Sequence, residues 1–293
     1  MASKKHYPVQ RNYRLGFTLP SNTTRVLGKL DFDLSRINHR LYRQSRYYEM
    51  KVDIDADLPD GSTVSVYALQ DTWMNQKAYQ MAKEVFDENS KQERAHMSDS
   101  ITARWNDFRV DLGEVVVATD TDSTPVGYEA GASVPAGTQY TAGEYEYSEV
   151  TDAAGTTQTF RWVGSGGSTF NIIDEYDRTG NTQTMPSSNA TTIAYDGLED
   201  ELDASQVDHL SSDGNMPPYA RTTIENQVLT LVATLHVDST GTSKLSTGFF
   251  TAPCGIYVLA FSGGLDGNTA NDGIMITAKS GDYKGVSGAS MLE

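Results

Sequence analysis

The residues best suited to chemistry by type are basic and aromatic, and they gather in the first fifty positions. Lys4, Lys5, Arg11, Arg14, Arg36, Arg40 and Arg43 share that stretch with Tyr7, Tyr13, Tyr42, Tyr47 and Tyr48. Guanidinium and ammonium groups neutralise phosphates, and tyrosine rings can stack on unpaired bases, so the pattern fits contact with nucleic acid. It also fits, less well, an arm that opposes an acidic body or docks on a neighbouring subunit. The charges are spaced singly rather than run together, unlike a dedicated packaging tail.

Carboxylates are the other abundant reactive group. Asp53, Asp55 and Asp57 fall on one face of a strand pattern, and Asp60 follows at a turn. The spacing opens like an EF-hand loop, but Leu58 stands where glycine is needed and Val64 where the closing glutamate belongs. What remains is a looser Ca²⁺ site on Asp55, Asp57 and Asp60, or on Asp120 and Asp122, set against a plain solvated acidic face. No other cofactor is implied. Asp174, Glu175, Glu199 and Asp200 could supply a glycosidase pair, though so many acids make any pair easy to draw.

The five histidines (His6, His39, His96, His209 and His236) are isolated and form no HExxH. The single cysteine, Cys254, excludes an intrachain disulfide and a thiolate zinc site. Following Pro253 between two apolar runs, it reads as a small core residue. Phosphate-binding GxxxxGK[ST] and nucleophile-elbow GxSxG patterns are absent from the sequence. An enzyme is not expected.

Composition frames these groups. Apolar residues make up 38% of 293, enough for a sizeable core, and abundant Gly, Thr, Tyr, Val and Asp lean towards β structure. The net charge of −16 divides unevenly. Residues 1–51 hold 11 Lys/Arg against three acids, or +8; the rest hold 12 against 36, or −24. The opening MASKK run has no apolar segment like that of a secretory signal. Residues 245–265 are uncharged but broken by Pro253 and four glycines, so strands around a turn are expected there, in a soluble protein with no membrane partner.

The elements follow from periodicity. Tyr48, Met50, Val52, Ile54 and Ala56 alternate with charged residues, a half-buried strand. Pro59-Asp60-Gly61 marks a turn, and residues 63–69 a second strand. Met74, Ala78, Met81, Ala82 and Val85 are spaced for a helix over residues 71–88, and residues 90–105 suggest a shorter one. Trp73 and Trp105 are expected to pack with that helical block, the only one in the chain. Further strands are expected over 108–118, 159–163, 169–173, 227–237, 246–251, 256–262 and 274–278. The pattern predicts a mainly β protein, an antiparallel jelly-roll β-sandwich with a helical insertion at 70–107 and long loops at 119–156 and 174–226. Its domains would be a basic arm, residues 1–45, and one sandwich, residues 46–293.

Three sets of segments carry a family resemblance. They are Ile37-Asn-His-Arg-Leu-Tyr-Arg-Gln-Ser-Arg-Tyr-Tyr-Glu-Met-Lys-Val-Asp; Ala68-Leu-Gln-Asp-Thr-Trp-Met with Ala103-Arg-Trp-Asn-Asp-Phe-Arg; and Thr251-Ala-Pro-Cys-Gly with Lys279-Ser-Gly-Asp-Tyr-Lys-Gly-Val. In this order they resemble the capsid proteins of small circular single-stranded DNA viruses known from environmental sequencing. The resemblance implies a virion coat subunit that assembles with copies of itself into an icosahedral shell around a single-stranded DNA genome. Many such proteins open with a dense Arg/Lys tail, and this chain does not. About 60 copies would bring about 480 positive charges from residues 1–51, against a few thousand phosphates. Cations, a larger shell or a cross-linking role for the arm would then supply the difference. The alternative is a phage receptor-binding or glycan-binding β-sandwich module.

Overall fold

The computed structural model describes residues 8–16, 25–54, 60–94, 107–113, 121–122, 124–126, 147–151, 155–164, 168–181, 228–240, 243–262 and 274–292. The chain is mainly β, with antiparallel sheets and few helices. Its elements are β1 (Asn12–Gly16), β2 (Arg25–Lys29), α1 (Leu30–Asn38), β3 (Arg46–Ile54), β4 (Thr63–Leu69), α2 (Trp73–Arg94), β5 (Asp111–Gly113), β6 (Thr121–Asp122), β7 (Thr124–Val126) and β8 (Glu149–Thr151). They continue with β9 (Thr157–Val163), β10 (Thr169–Asn171), α3 (Ile172–Asn181), β11 (Leu229–His236), β12 (Phe250–Pro253), β13 (Ile256–Ser262), β14 (Ile274–Ala278) and β15 (Gly288–Ser290).

One sheet runs β12-β3-β14-β1-β7, with β15 also on β3; a second runs β11-β4-β13-β2-β6. The antiparallel pairs β4·β11, β3·β12, β2·β13 and β1·β14 are nested about the segment 70–228. The pairs β13·β4 and β14·β3 then close each sheet across the fold. Alternation makes this possible. In β3 the side chains of Tyr48, Met50, Val52 and Ile54 are buried between the sheets, while Glu49, Lys51 and Asp53 stay partly exposed. Tyr13, Leu15, Val64, Val66, Leu235, Tyr257, Leu259 and Ile276 complete this shared core.

The second sheet is buried on both faces, which explains the unbroken apolar run of β13. Tyr257 and Leu259 face the inter-sheet core; Ile256 and Val258 face a second core. That second core comes largely from segment 70–228. Tyr79 and Ala82 of α2, Phe108, and Phe160 and Trp162 of β9 pack there. Tyr79 stacks on Trp162 with ring centroids 6.0 Å apart, and Phe108 meets Phe160 edge-on at 5.1 Å. A third sheet, β10-β9-β5 with β8 on β9, has β10 and β5 parallel to β9 and carries Phe160 and Trp162.

Several expectations change. Residues 12–16 and 25–38, assigned to a basic arm, are β1, β2 and α1, with Leu15, Val26, Leu30 and Leu34 fully buried. Their strands are five residues long and interrupted by charge, so only pairing with β14 and β13 makes them visible. The helical block is not alone, since α1 and α3 lie outside it. Its first helix runs on to Arg94, so residues 90–94 continue α2. Trp105 and the remainder of the expected second helix lie outside the described residues. The buried face of α2 is set by Ala78, Tyr79 and Ala82, leaving Trp73 67% exposed with Met81 and Val85 beside solvent. Among the described residues, no helix is long and apolar enough to cross a membrane.

Candidate nucleic-acid interface

The basic residues are organised by the end of α1 and the loop that follows. His39 closes the helix in the left-handed conformation, and its N–H returns to the Ser35 carbonyl. Tyr42 N–H then donates to Ser35 Oγ at 2.8 Å, turning the chain towards β3. Gln44 fixes the loop from behind: its Nε2 donates to the Val110 carbonyl at 2.9 Å, and its Oε1 accepts from Val110 N–H at 2.7 Å.

A second turn closes over this loop. Tyr283 and Val286 exchange backbone hydrogen bonds, each of 3.0 Å, across Lys284 and Gly285. Both central residues have positive φ, +52° and +93°. The turn is tied to the loop at four points. Tyr42 Oη donates to the Lys284 carbonyl at 3.0 Å, Arg43 N–H donates to Tyr283 Oη at 3.1 Å, Lys284 Nζ donates to the Leu41 carbonyl, and the Arg46 guanidinium lies 4.4 Å from the Tyr283 ring centroid.

Four cations therefore share one surface. Arg43 and Lys284 are exposed, and Arg40 and Arg46 are half-buried. Partial burial pulls the Lys284 ammonium below its ordinary value; Arg43, Arg40 and Arg46 push the same way, and Asp107 opposes them. The segment leading into β1 reaches this region too, since Gln10 N–H donates to Asn38 Oδ1 at 2.8 Å and Asn38 Nδ2 returns a bond to the Gln10 carbonyl at 2.9 Å.

Of the residues proposed from sequence, Arg40 and Arg43 are brought together here. Arg36 is exposed in the last turn of α1, and Arg11 is exposed just before β1. Arg14 is exposed on β1 beside Met275 and Val126, outside this group. Lys4, Lys5 and Tyr7 lie outside the described residues. Arg46, Tyr283 and Lys284 were missed as site residues. The only sequence signal for the last two was the Asp-Tyr-Lys-Gly turn, some 240 positions from Arg43.

The tyrosines do not offer the stacking faces expected of them. Tyr13, Tyr42 and Tyr48 are wholly or almost wholly buried core residues whose hydroxyls bond to Asp33, Lys284 and Arg43 respectively. Tyr47 is half-buried, and burial followed by the nearby Asp71 carboxylate pushes its phenol to about 12.

Behind the cluster sits a buried carboxyl group set. Asp31 and Asp33, both in α1, have no exposed surface, and no side chain donates a hydrogen bond to Asp31. Asp33 accepts from Tyr13 Oη at 2.8 Å through one oxygen. Asp107 accepts the Gln44 N–H at 3.0 Å. Burial raises all three, Asp31 to about 7.

Of the Ca²⁺ candidates, Asp55, Asp57 and Asp120 lie outside the described residues. Asp60 accepts Ser239 N–H at 2.7 Å and Ser239 Oγ at 2.8 Å, each on a different oxygen, so its carboxylate closes a turn. Among the described residues, no group of three or more His, Cys, Asp or Glu is arranged to hold a metal ion. Asp174 and Glu175 lie in the first turn of α3, where the helix dipole favours them; Glu199 and Asp200 are not described. Cys254 is fully buried at the corner between β12 and β13, and burial pushes its thiol up, away from nucleophilic form.

Comparison with protein-family models, curated proteins and solved structures finds no match to this chain.

Proposed function

We propose that this protein is a jelly-roll coat subunit that assembles with copies of itself into a closed shell and sets its basic cluster against a packaged single-stranded DNA genome. The observation that carries the reading is strand order. Eight strands pair as β12-β3-β14-β1 and β11-β4-β13-β2. In chain order they form one long folded ribbon, with β4 against β11, β3 against β12, β2 against β13 and β1 against β14. Rolling that ribbon brings β13 onto β4 and β14 onto β3, the double Greek key on which viral coats and some lectins are built.

Strand order alone does not select a coat over a lectin, because function belongs to sites rather than folds. The basic surface favours the coat. Four cations gather on a body whose sequence outside residues 1–51 carries −24, so the charge asymmetry has a local expression in the fold. The space between the sheets is filled by Tyr13, Tyr42, Tyr48, Met50 and Tyr257. Working surfaces are then the loops, the outer face of the first sheet and the basic end.

Negative-stain microscopy of the expressed chain tests the proposal. Closed, symmetric particles tens of nanometres across are expected. A monomer or small oligomer at every salt and Ca²⁺ concentration tried, with affinity for a glycan array, would replace the coat with the binding module.

A further inference from the structure

We infer that Arg40, Arg43, Arg46 and Lys284 form a binding site for a phosphodiester backbone that reads phosphate and not base. The inference deepens the coat proposal by naming the chemistry its basic surface recognises, and rests on that proposal only for the biological partner.

Three observations point the same way. First, Lys284 occupies the first central position of a two-residue turn with positive φ at both centres, a place that favours Asn, Asp or Gly. A lysine there is strained, and backbone strain marks positions kept for something other than stability. Second, the Lys284 ammonium donates to the Leu41 carbonyl and shares the Tyr283 ring with Arg46, while Arg43 and Arg40 add positive charge and Asp107 opposes it, so an anion is favoured at this surface. Third, the Arg46 guanidinium lies 4.4 Å from the Tyr283 ring centroid and donates through Nη1 to the Gly288 carbonyl at 3.4 Å, which fixes its charge at this surface. Three of the four cations are guanidinium forks, which match phosphate oxygens in pairs.

The exclusion of bases follows from packing. Tyr42 and Tyr48 are sealed in the core, and the Tyr283 ring already meets Arg46 at 4.4 Å and Lys284 at 5.4 Å. No open aromatic face is offered by the tyrosines of this cluster, so the stacking that gives single-strand binders their base contact is missing from it.

The test uses the full chain with two labelled oligomers of equal length, oligo(dT) and an abasic phosphodiester, titrated across a salt series. The two are expected to bind within about twofold of each other, and the slope of log affinity against log salt should fall by about 0.7 for each cation removed. Lys284→Asn should show that fall and keep the melting temperature, since the better fit of Asn to the turn offsets the lost tie to the Leu41 carbonyl. Arg43→Gln, altering an exposed side chain whose backbone bond to Tyr283 survives, should show the same fall. Lys91→Gln on α2, 78% exposed, should leave the slope unchanged.

Oligo(dT) binding more than tenfold tighter than the abasic chain would overturn the phosphate-only reading. Slopes unchanged in both Lys284→Asn and Arg43→Gln would remove the site. Tighter binding of a heparin oligosaccharide than of either oligomer would assign the cluster to sulfated glycans instead. A large fall in melting temperature for Lys284→Asn would make that lysine a structural tie and refute the strain argument, with Arg43→Gln still deciding the site. Failure of the chain to form particles, with these slopes intact, would sink the coat proposal and leave this site standing.

Discussion

Replacing Asp31 by Asn should make the protein more resistant to alkali, and the effect should grow with pH. Asp31 lies in the first turn of α1 with no exposed surface and no side chain donating a hydrogen bond to its carboxylate. Lys29 from β2, Asp107 and Arg109 from the segment before β5, and Cys254 at the β12–β13 corner are the titratable and charged groups around it, with Tyr48 of β3 and Asp33 of its own helix. Burial is the largest influence and raises the carboxyl from 3.8 to about 7; Arg109 pulls it down, and Asp107 pushes it up.

The folded-state value exceeds the unfolded one, so between the two the native chain holds a proton that the unfolded chain has released. This contribution to stability is complete below about pH 4 and is lost as pH rises through about 7. A gap of about three pH units at ~1.4 kcal/mol each gives on the order of 4 kcal/mol. Asn keeps the shape without titrating. Urea denaturation at pH 4, 6 and 8 should show the variant gaining on the parent by up to that amount across the window, with an unchanged m value. Asp33 is also raised and remains in the variant, so some alkaline slope should persist. A parent-to-variant difference that stays constant with pH would refute the argument, as would one that favours the parent at pH 8.

Two further outcomes test the packing. Gly28→Ala should destabilise by about 1–3 kcal/mol or more, because a Cβ there would lie 2.0 Å from the Tyr257 ring at the centre of the second sheet; thermal melting reads this directly. Trp162→Ala should cost about 3–5 kcal/mol in chemical denaturation, whereas Trp73→Ala should cost less than about 1 kcal/mol, since Trp162 is fully buried and Trp73 is 67% exposed. Equal losses for the two tryptophans would mean that α2 presents a different face to the second core.

Local pattern was enough wherever one strand alternates or a run is wholly apolar. β4, β13 and β14 have the bounds read from sequence, residues 63–69, 256–262 and 274–278, because burial in β4 and β14 repeats the period of their side chains and β13, buried on both faces, is apolar as far as Phe261. The mainly β character and the helix near residue 73 were legible for the same reason. β1 and β2 were not. Arg14, Arg25, Gly28 and Lys29 mask their alternation, and what makes them strands is pairing with partners more than 200 positions away. The face of α2 was misjudged because spacing identifies a stripe but not what waits opposite it. Phe108 and Trp162 draw in Tyr79, and Met81 is left outside.

The functional surface divides along the same line. Sequence by itself determined that positive charge gathers near the start of the chain and negative charge elsewhere, since net charge is a sum and needs no coordinates. Only the tertiary structure decided which cations act together and what the tyrosines do. Lys284 joins Arg43 because the turn at 283–286 closes over the loop after α1, and Tyr13, Tyr42 and Tyr48 turn inward because their rings fill the space between two sheets. Periodicity along a chain fixes how often a side chain changes face; electrostatics and burial depend on distances through space, and those exist only after remote strands have paired.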